Sequence, residues 1–429
     1  MDSVVRSITN LSASGDFQTL YQKLQSNEKT INQNQDQILQ AIQNLDPVRH
    51  SLGLLFLYLS RFETFTSLPP PHQDSWLGQA ERFLVSCDVR QVQFDEKRFF
   101  KLCRQFVVGV FHSKANVQKH ATRAIPVLRR VIDSFVPAGE VTSLHSDFLK
   151  LCIMTSHYDL AEPLVHRQYI SINKDKTGIE PKHFITFAYY AGCVALVLKN
   201  LPKALHFFSL ALTTPSLVLH AAAVEAYKKY ILVSLMLSGT SKQIPKHAST
   251  VIFYFAKELC EAYVKVAEAF SQRDTQLLDN LIAGYTTDFV HDKNLGLVKQ
   301  VREAYTQQEV KRITNSYMTI SLRSLSQSAG KSVSEVEALL LQMIEEGHIN
   351  AQIDMEHEMV VFSETEEDSE ELVERMSRVS DRLSELLEQT ELRIENMMLS
   401  KEYIKRTLMN TFGVGAGGDA ADMMAQFMP

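Results

Sequence analysis

The sequence has few cysteines, and none has the spacing that cysteine chemistry requires. The five cysteines are scattered and never form a C-x-x-C pair, whereas disulfide frameworks and zinc sites depend on regularly spaced pairs. No H-x-H or H-E-x-x-H occurs among the fourteen histidines, so the ligand sets of zinc hydrolases are absent. We therefore expect no disulfides, no metal site and a reducing compartment.

Long apolar runs are also lacking. The longest, LGLLFLYL from Leu52 to Leu59, stops at Ser60, well short of the roughly 20 residues that cross a bilayer. The first residues lack the apolar core of a secretory signal. These absences predict no membrane partner and a location in the cytoplasm and nucleus.

An excess of positive charge is missing as well. The 429 residues carry 44 lysines and arginines against 50 acidic residues, a net charge of −6. This balance disfavours coating of nucleic acid or anionic lipid. Protein or small-molecule partners are expected, on a chain long enough for two or three domains.

Motifs for cofactors and catalysis occur only by chance. GVGAGG, residues 413 to 418, satisfies G-x-G-x-x-G, but no helix and acidic residue can follow so near the end of the sequence. Gly330-Lys331-Ser332 lacks the glycine that a phosphate-binding loop needs five residues earlier. No G-x-S-x-G elbow is present. We expect no cofactor and no enzymatic activity.

What the sequence does contain is helical periodicity. Apolar residues recur at three and four between breaks at residues 67–75, 136–140, 171–181, 213–216 and 238–245. Asp46 is placed to cap a helix that Pro47 can begin. The prediction is a mostly α protein whose first 300 residues stack helix pairs into a repeat solenoid.

One segment carries a repeat signature. Gly192 and Ala204 lie twelve apart in YYAGCVALVLKNLPKALHFFSLALTTP, and Phe208 and Ala211 follow. This spacing of small and aromatic residues is typical of a tetratricopeptide-like (TPR-like) helix pair. An ordinary antiparallel helix pair is the alternative, and it predicts the same stacked architecture.

After the stack, residues 311–363 have the pattern of a winged helix. Ser332 or Ser334 can form a capping box three residues before a glutamate, and Gly347 can end that helix in a left-handed conformation. Val333, Val336, Leu340, Met343 and Ile344 are predicted to form its buried face. A strand follows in which Ile349, Ala351 and Ile353 point inward, then a polar wing, then the strand Met359-Val360-Val361-Phe362.

The winged helix is acidic where a DNA reader would be basic. Its main helix carries Glu335, Glu337, Glu345 and Glu346, and the wing adds Asp354, Glu356 and Glu358. Phosphate contacts need cations, so no nucleic acid partner is expected. A nucleic-acid-binding alternative rests on Lys311, Arg312, Arg323 and Lys331 just before that helix. His348 and His357 flank the wing and are expected to be surface residues.

Two apolar surfaces are candidates for contact with other chains. The strand Met359 to Phe362 is apolar on both faces and is expected to be an edge strand that another chain covers. Residues 364–411 predict one long helix with a seam at Leu372, Met376, Val379, Leu383 and Leu386, which then shifts to Leu387, Ile394, Met397, Ile404 and Leu408. The helix either joins an intermolecular bundle or folds back on its own domain.

These elements together resemble the PCI family, which joins helical repeats to an acidic winged helix and a terminal helix. Within it, HSLGLLFLYL (His50 to Leu59), SLHSDFLKLC (Ser143 to Cys152), KNLPKALHFFSLALTTPS (Lys199 to Ser216), EAYKKYILVSLMLSG (Glu225 to Gly239) and NLGLVKQ (Asn294 to Gln300) look like third subunits of the constitutive photomorphogenesis-nine (COP) signalosome. PCI subunits of the proteasome lid or of translation initiation factor remain the alternative.

The resemblance implies a non-catalytic scaffold with helical repeats at 1–190, a PCI domain at 191–363 (helical part 191–310, winged helix 311–363), a bundle helix at 364–411 and a flexible tail at 412–429. Its partners would be other PCI and MPN subunits and, through the complex, cullin-RING ubiquitin ligases, from which a separate subunit removes a ubiquitin-like modifier. The implied interface residues are Ile349, Ala351, Ile353, Met359, Val360, Val361, Phe362, Leu372, Met376, Val379, Leu383 and Leu386.

Overall fold

The structure is a computed structural model, and it divides into two compact units, Met1–Val310 and Lys311–Pro429. It describes residues 2–33, 35–62, 65, 70–112, 117–137, 139–169, 172–241, 244–245, 248, 250–314, 317–329, 332–347, 349–354, 357–362, 369–401, 403–405 and 407. The predicted tail and the start of the predicted long helix lie outside these residues.

The first unit is built from helices, and the last of them ends just past the division between the units. They are α1 (Asp2–Ser14), α2 (Phe17–Ser26), α3 (Glu28–Gln33), α4 (Gln35–Asn44), α5 (Ser51–Phe62), α6 (Pro70–Ser86), α7 (Val89–Val92), α8 (Glu96–His112), α9 (Val117–Phe135), α10 (Ser143–Thr155), α11 (Tyr158–His166), α12 (Lys174–Thr177), α13 (Pro181–Val197), α14 (Leu201–Thr213), α15 (Ala221–Ser238), α16 (Thr250–Leu259), α17 (Glu261–Gln272), α18 (Thr275–Gly284), α19 (Thr286–His291) and α20 (Leu295–Thr314). A short 3-10 turn, Gln93–Asp95, precedes α8.

The second unit contains the strands and the remaining helices. They are β1 (Thr319–Ser321), α21 (Leu322–Ala329), α22 (Val333–Glu345), β2 (Ala351–Asp354), β3 (Met359–Phe362) and α23 (Ser369–Met398). The mostly α architecture, with helical repeats before a winged helix, is confirmed. Residue 190, where the repeats were predicted to give way to the PCI domain, lies inside α13.

Two predicted helix starts were wrong by a few residues. The predicted break at 67–75 contains the beginning of α6 at Pro70, because proline is tolerated in a first helical turn, where its missing N–H has no partner anyway. Helix α5 starts at Ser51 and not at Pro47. Asp46 nevertheless accepts a hydrogen bond from the backbone N–H of Val48 at 2.9 Å, so it caps the turn that precedes the helix.

Close packing of α13 against α14 explains the small residues of the repeat signature. Ala204, Phe208 and Ala211 are fully buried. A Cβ added to Gly192 would lie 2.5 Å from the Phe208 ring, so no larger side chain fits there without rearrangement. The small residues at these positions therefore allow the two helices to pack closely.

Successive helices are joined by a recurring tight turn. Ser156, Lys199, Arg273 and Lys293 all have φ between 57° and 61°, a left-handed conformation that non-glycine residues adopt at some cost. Each is followed directly by the residue that precedes the next helix, and Asn200 and Asp274 accept a backbone N–H there. Repetition of one turn gives the stacked helices their regular geometry.

A candidate interaction surface in the second unit

Local sequence fixes the main helix of the winged helix. The Ser332 hydroxyl accepts the N–H of Glu335, whose carboxylate accepts the N–H of Ser332, which completes the predicted capping box. Gly347 follows with φ +70°, as predicted. Val336, Leu340 and Met343 are buried, whereas Val333 is 38% exposed. The prediction for Val333 was wrong because it is the first helical residue and lies beside the exposed cap.

The prediction of an edge strand at Met359 to Phe362 was also wrong. The three strands are ordered β1-β3-β2, so β3 is the central strand and is paired on both sides. Val360 lies opposite Ile320 on β1 and opposite Ile353 on β2. The chain itself therefore satisfies the backbone groups of this strand, and β1 and β2 are the edges.

Alternation along β3 separates its apolar residues onto two faces. Val360 and Phe362 are buried, together with Ile349, and Ala351 and Ile353 are partly buried. Met359 and Val361 are exposed at 37% and 42%. The pairs Val361–Thr319, Val361–Gln352 and Met359–Asp354 flank them with polar residues. Of the seven predicted strand residues, only Met359 and Val361 face outward.

Helix α23 presents the larger apolar surface. Every residue from 372 to 398 is exposed, including the five predicted seam residues Leu372, Met376, Val379, Leu383 and Leu386. A helix folded back on its own domain would bury this seam, and the described residues do not bury it. The helix ends at Met398, and a new turn begins after Ser400, whose hydroxyl accepts the N–H of Tyr403. The predicted continuous helix over 364–411 is therefore interrupted at residues 399–400, and residues 364–368 and 408–411 lie outside the described residues.

Charges around the wing are paired with one another. Arg323 donates to the Glu358 carboxylate at 2.9 Å, and His357 lies 2.8 Å from Asp354. Arg323 is one of the four cations on which the nucleic-acid-binding alternative rests, and Lys331, another of the four, lies outside the described residues. His348, which was expected to be a surface residue, also lies outside them. Over the part of the chain that the structure describes, no group of three or more histidines, cysteines or acids could hold a metal ion. No described helix is long and apolar enough to cross a membrane.

Sequence reasoning missed a buried polar network in the first unit. Lys228 on α15 donates to Glu225 at 2.7 Å and to Asp292 at 2.8 Å. Tyr263 on α17 also donates to Asp292, and Asn294 donates to Tyr263. Burial raises the pKa of Asp292, but the bonds from Lys228 and Tyr263 outweigh it and leave the pKa below its usual value. The sequence signal for this network was the presence of Glu225, Lys228 and Lys229 in a helix whose other residues are mostly apolar.

An exposed aromatic helix was missed too. Phe253, Tyr254 and Phe255 on α16 are all more than half exposed, as is Leu259. Consecutive helical residues point about 100° apart, so three adjacent aromatics cannot all face one core. The sequence Phe253-Tyr254-Phe255 therefore predicts that part of this helix is an exposed apolar surface.

Comparisons with known proteins identify both parts of the chain. Residues 14–252 match the model of the family described as COP9 signalosome complex subunit 3, N-terminal helical repeats. Residues 276–364 match the PCI domain. The chain is 28% identical over 376 residues to COP9 signalosome complex subunit 3 of Dictyostelium discoideum, which covers 86% of the chain and 87% of that protein. It is 29% identical over 390 residues to the Arabidopsis thaliana protein of the same name, which covers 89% and 87%.

Proposed function

The chain belongs to the COP9 signalosome complex subunit 3 family, and we propose that it is a non-catalytic scaffold subunit of that complex. In this role it supports the removal of a ubiquitin-like modifier from cullins, which regulates cullin-RING ubiquitin ligases and ubiquitin-dependent protein degradation. Its direct partners are other PCI and MPN subunits, and it meets the ligases through the complex. The cytoplasm and nucleus are its proposed locations.

The observation that carries this proposal is the exposure of α23. A helix with an apolar seam gains most of its stability by burying that seam, yet Met376, Val379 and Leu383 are each more than half exposed. An isolated protein rarely leaves so long an apolar surface uncovered. Helices from fellow subunits would cover it in a bundle.

The winged helix supplies a second, smaller contact. Met359 and Val361 form an apolar centre on the outer face of its sheet, and the polar residues of β1 and β2 surround them. An apolar centre with a polar rim is the usual anatomy of a protein interface. The exposed edges of β1 and β2 offer backbone groups for strand addition. Of the twelve predicted interface residues, Met359, Val361 and the five seam residues are exposed and retain that role as proposals, whereas Ile349, Val360 and Phe362 are buried by the chain itself and Ala351 and Ile353 are partly buried.

Purification of the tagged chain under mild conditions tests the proposal. The expected result is co-purification with the signalosome subunits, and a chain that ends at residue 362 should lose most of them because it lacks α23. A chain that ends at residue 407 is the matched control and should retain them. Recovery of the proteasome lid or of translation initiation factor would assign the alternative, and full retention of partners by the shorter chain would contradict the role of α23.

A further inference from the structure

The cations of α23 all lie on one side of its apolar seam. Between Leu372 and Met398 the helix has no lysine and four arginines, Arg375, Arg378, Arg382 and Arg393. At 100° per residue these four fall within an arc of about 60°. That arc borders the side of the seam formed by Val379 and Leu386, so the arginines form a continuous cationic border along the helix.

The opposite border of the seam has a different composition. It carries Val373, Ser380, Leu387 and Ile394, at intervals of seven residues, and none of them is charged. Five of the six acidic residues from 372 onward occupy the outer face, away from the seam: Glu374, Asp381, Glu385, Glu388 and Glu395; the sixth, Glu391, lies beside the apolar border. The helix therefore has a cationic border, an apolar border and an acidic outer face.

The described residues form few ion pairs along the cationic border. Arg378 contacts Glu374 at 3.6 Å, whereas Arg375, Arg382 and Arg393 have no ion pair among the described residues. All four side chains are exposed. Carboxylates that another molecule supplies along this border could therefore pair with these arginines.

We propose that the helix packed on this border of α23 belongs to a partner that carries acidic side chains at intervals of three and four residues. This inference rests on the proposed function and specifies the chemistry of one neighbour in the bundle. The matching intervals follow from helix geometry, which aligns residues i, i+3 and i+7 on one border. The apolar border would pack against a second, apolar neighbour.

A second copy of the chain does not fit. In a parallel pair the arginine border would face the border of Val373, Ser380 and Leu387, which offers one acid, Glu391, for four arginines. In an antiparallel pair arginines would face arginines, and like charges in contact are destabilising. An anionic membrane fits poorly as well, because six acids against four arginines make this stretch net negative.

The test uses the full-length chain and two synthetic amphipathic peptides with the same leucine seam. One peptide has glutamates on both borders and the other has lysines there. The glutamate peptide should bind about tenfold more tightly at low ionic strength, and 1 M salt should remove most of the difference. The variant R375E/R378E/R382E/R393E should instead bind the lysine peptide more tightly than the glutamate peptide.

The matched control reverses charges on the outer face. E374K/D381K/E388K changes three charges on the same helix and should keep the preference for the glutamate peptide. Equal binding of both peptides, stronger binding of the lysine peptide, or binding only to phosphatidylserine vesicles would overturn the inference. If purification yields no signalosome subunits but the peptide preference holds, the proposed function fails while the charge assignment stands.

Discussion

Lys228 and Asp292, 64 residues apart in the chain, form a salt bridge of 2.8 Å in a site where the lysine is only 8% exposed. The lysine lies in the motif EAYKKYILVSLMLSG, and Asp292 lies two residues before NLGLVKQ. The two segments, whose sequences resemble those of the family, are therefore brought together in the fold. Lys228 and Lys229 on α15 thus contact Asp292 and Asn294, the residues that lead into α20.

Breaking this bridge should destabilise the first unit. Lys228→Met leaves the Asp292 carboxylate in a site with little access to water, so we expect the free energy of unfolding to fall by about 2 kcal/mol. Urea denaturation followed by circular dichroism measures the change. Lys299→Met removes a lysine from an exposed position of α20 and serves as the control. Equal stability of the two variants would show that the network contributes nothing.

His145 should make the protein less stable in mild acid. Burial and the nearby Arg167 lower its pKa to about 4, and its Nδ1 accepts the backbone N–H of Thr142 at 3.1 Å, so a proton on Nδ1 would break the cap of α10. The unfolded chain takes up that proton near pH 6.5, so the stability from His145 is complete above pH 6.5 and is lost as the pH falls toward 4. The expected loss between pH 7 and pH 5 is about 2 kcal/mol.

The variant His145→Asn isolates this effect. Asparagine can keep the acceptor for Thr142 but does not titrate, so the loss of stability between pH 7 and pH 5 should shrink by about 2 kcal/mol. His166→Asn changes an exposed histidine and serves as the control. An unchanged pH dependence in His145→Asn would contradict the prediction.

Asp147 should have the opposite pH dependence. Burial raises its pKa to about 6 despite Arg104 and Lys150, and its Oδ2 is buried without a hydrogen-bond partner among the described residues. A raised carboxyl pKa favours the folded state at low pH, and this contribution is lost as the pH rises from about 4 to about 6. Asp147→Asn should therefore increase the free energy of unfolding at pH 7 by about 1–2 kcal/mol and change it little at pH 4. Asp381→Asn, on exposed α23, should show no such pH dependence; a gain equal at both pH values would rule out ionisation as the cause.

Gly192→Ala should weaken the packing of α13 on α14. The added methyl would overlap the Phe208 ring, and overpacking of this kind costs about 1–3 kcal/mol. Thermal unfolding measures the loss, and Phe208→Leu in the same chain should restore part of it by removing the ring. Gly78→Ala, where no atom lies within 4 Å of the new methyl, should be neutral or slightly stabilising. Similar losses in both variants would exclude the steric explanation.

Val361 and Phe362 should respond differently to the same change. Val361→Glu places a carboxylate on the exposed face of the sheet, so folding should persist while association with signalosome subunits weakens. Phe362→Glu places it in the buried face and should destabilise the winged helix by about 3–5 kcal/mol. Hydrogen exchange of β2 and β3 reports folding, and co-purification reports assembly. Normal assembly by Val361→Glu would remove the outer sheet face from the interface.

Much of the fold followed from local sequence. The capping box at Ser332, the left-handed Gly347 and the end of α15 at Ser238 each depend on residues within one or two helical turns, so the sequence contains all the interacting groups. The alternation of Val360 and Phe362 with Met359 and Val361 follows from the pleat of a strand in the same way. The helix starts at Ser51 and Pro70 were misplaced because several neighbouring residues could begin those helices.

The order of the strands did not follow from sequence. An apolar strand such as β3 suits either an edge that a partner covers or a centre with neighbours on both sides. The choice depends on β1, which pairs with β3 from about 40 residues earlier in the chain. The partners in the polar network of Lys228, Tyr263 and Asp292 are likewise identified only when α15, α17 and the turn between α19 and α20 are brought together.

By itself the sequence determined the helical class, the winged-helix pattern, the absence of catalytic and metal motifs, and the seam on α23, because periodicity, capping and composition act over a few residues. Tertiary structure alone decided that β3 is central, that Phe362 is buried while Val361 is exposed, and that the described residues leave the seam uncovered. These outcomes depend on which distant surfaces bury one another, and the energy of burial depends on contacts that the linear order of residues does not specify.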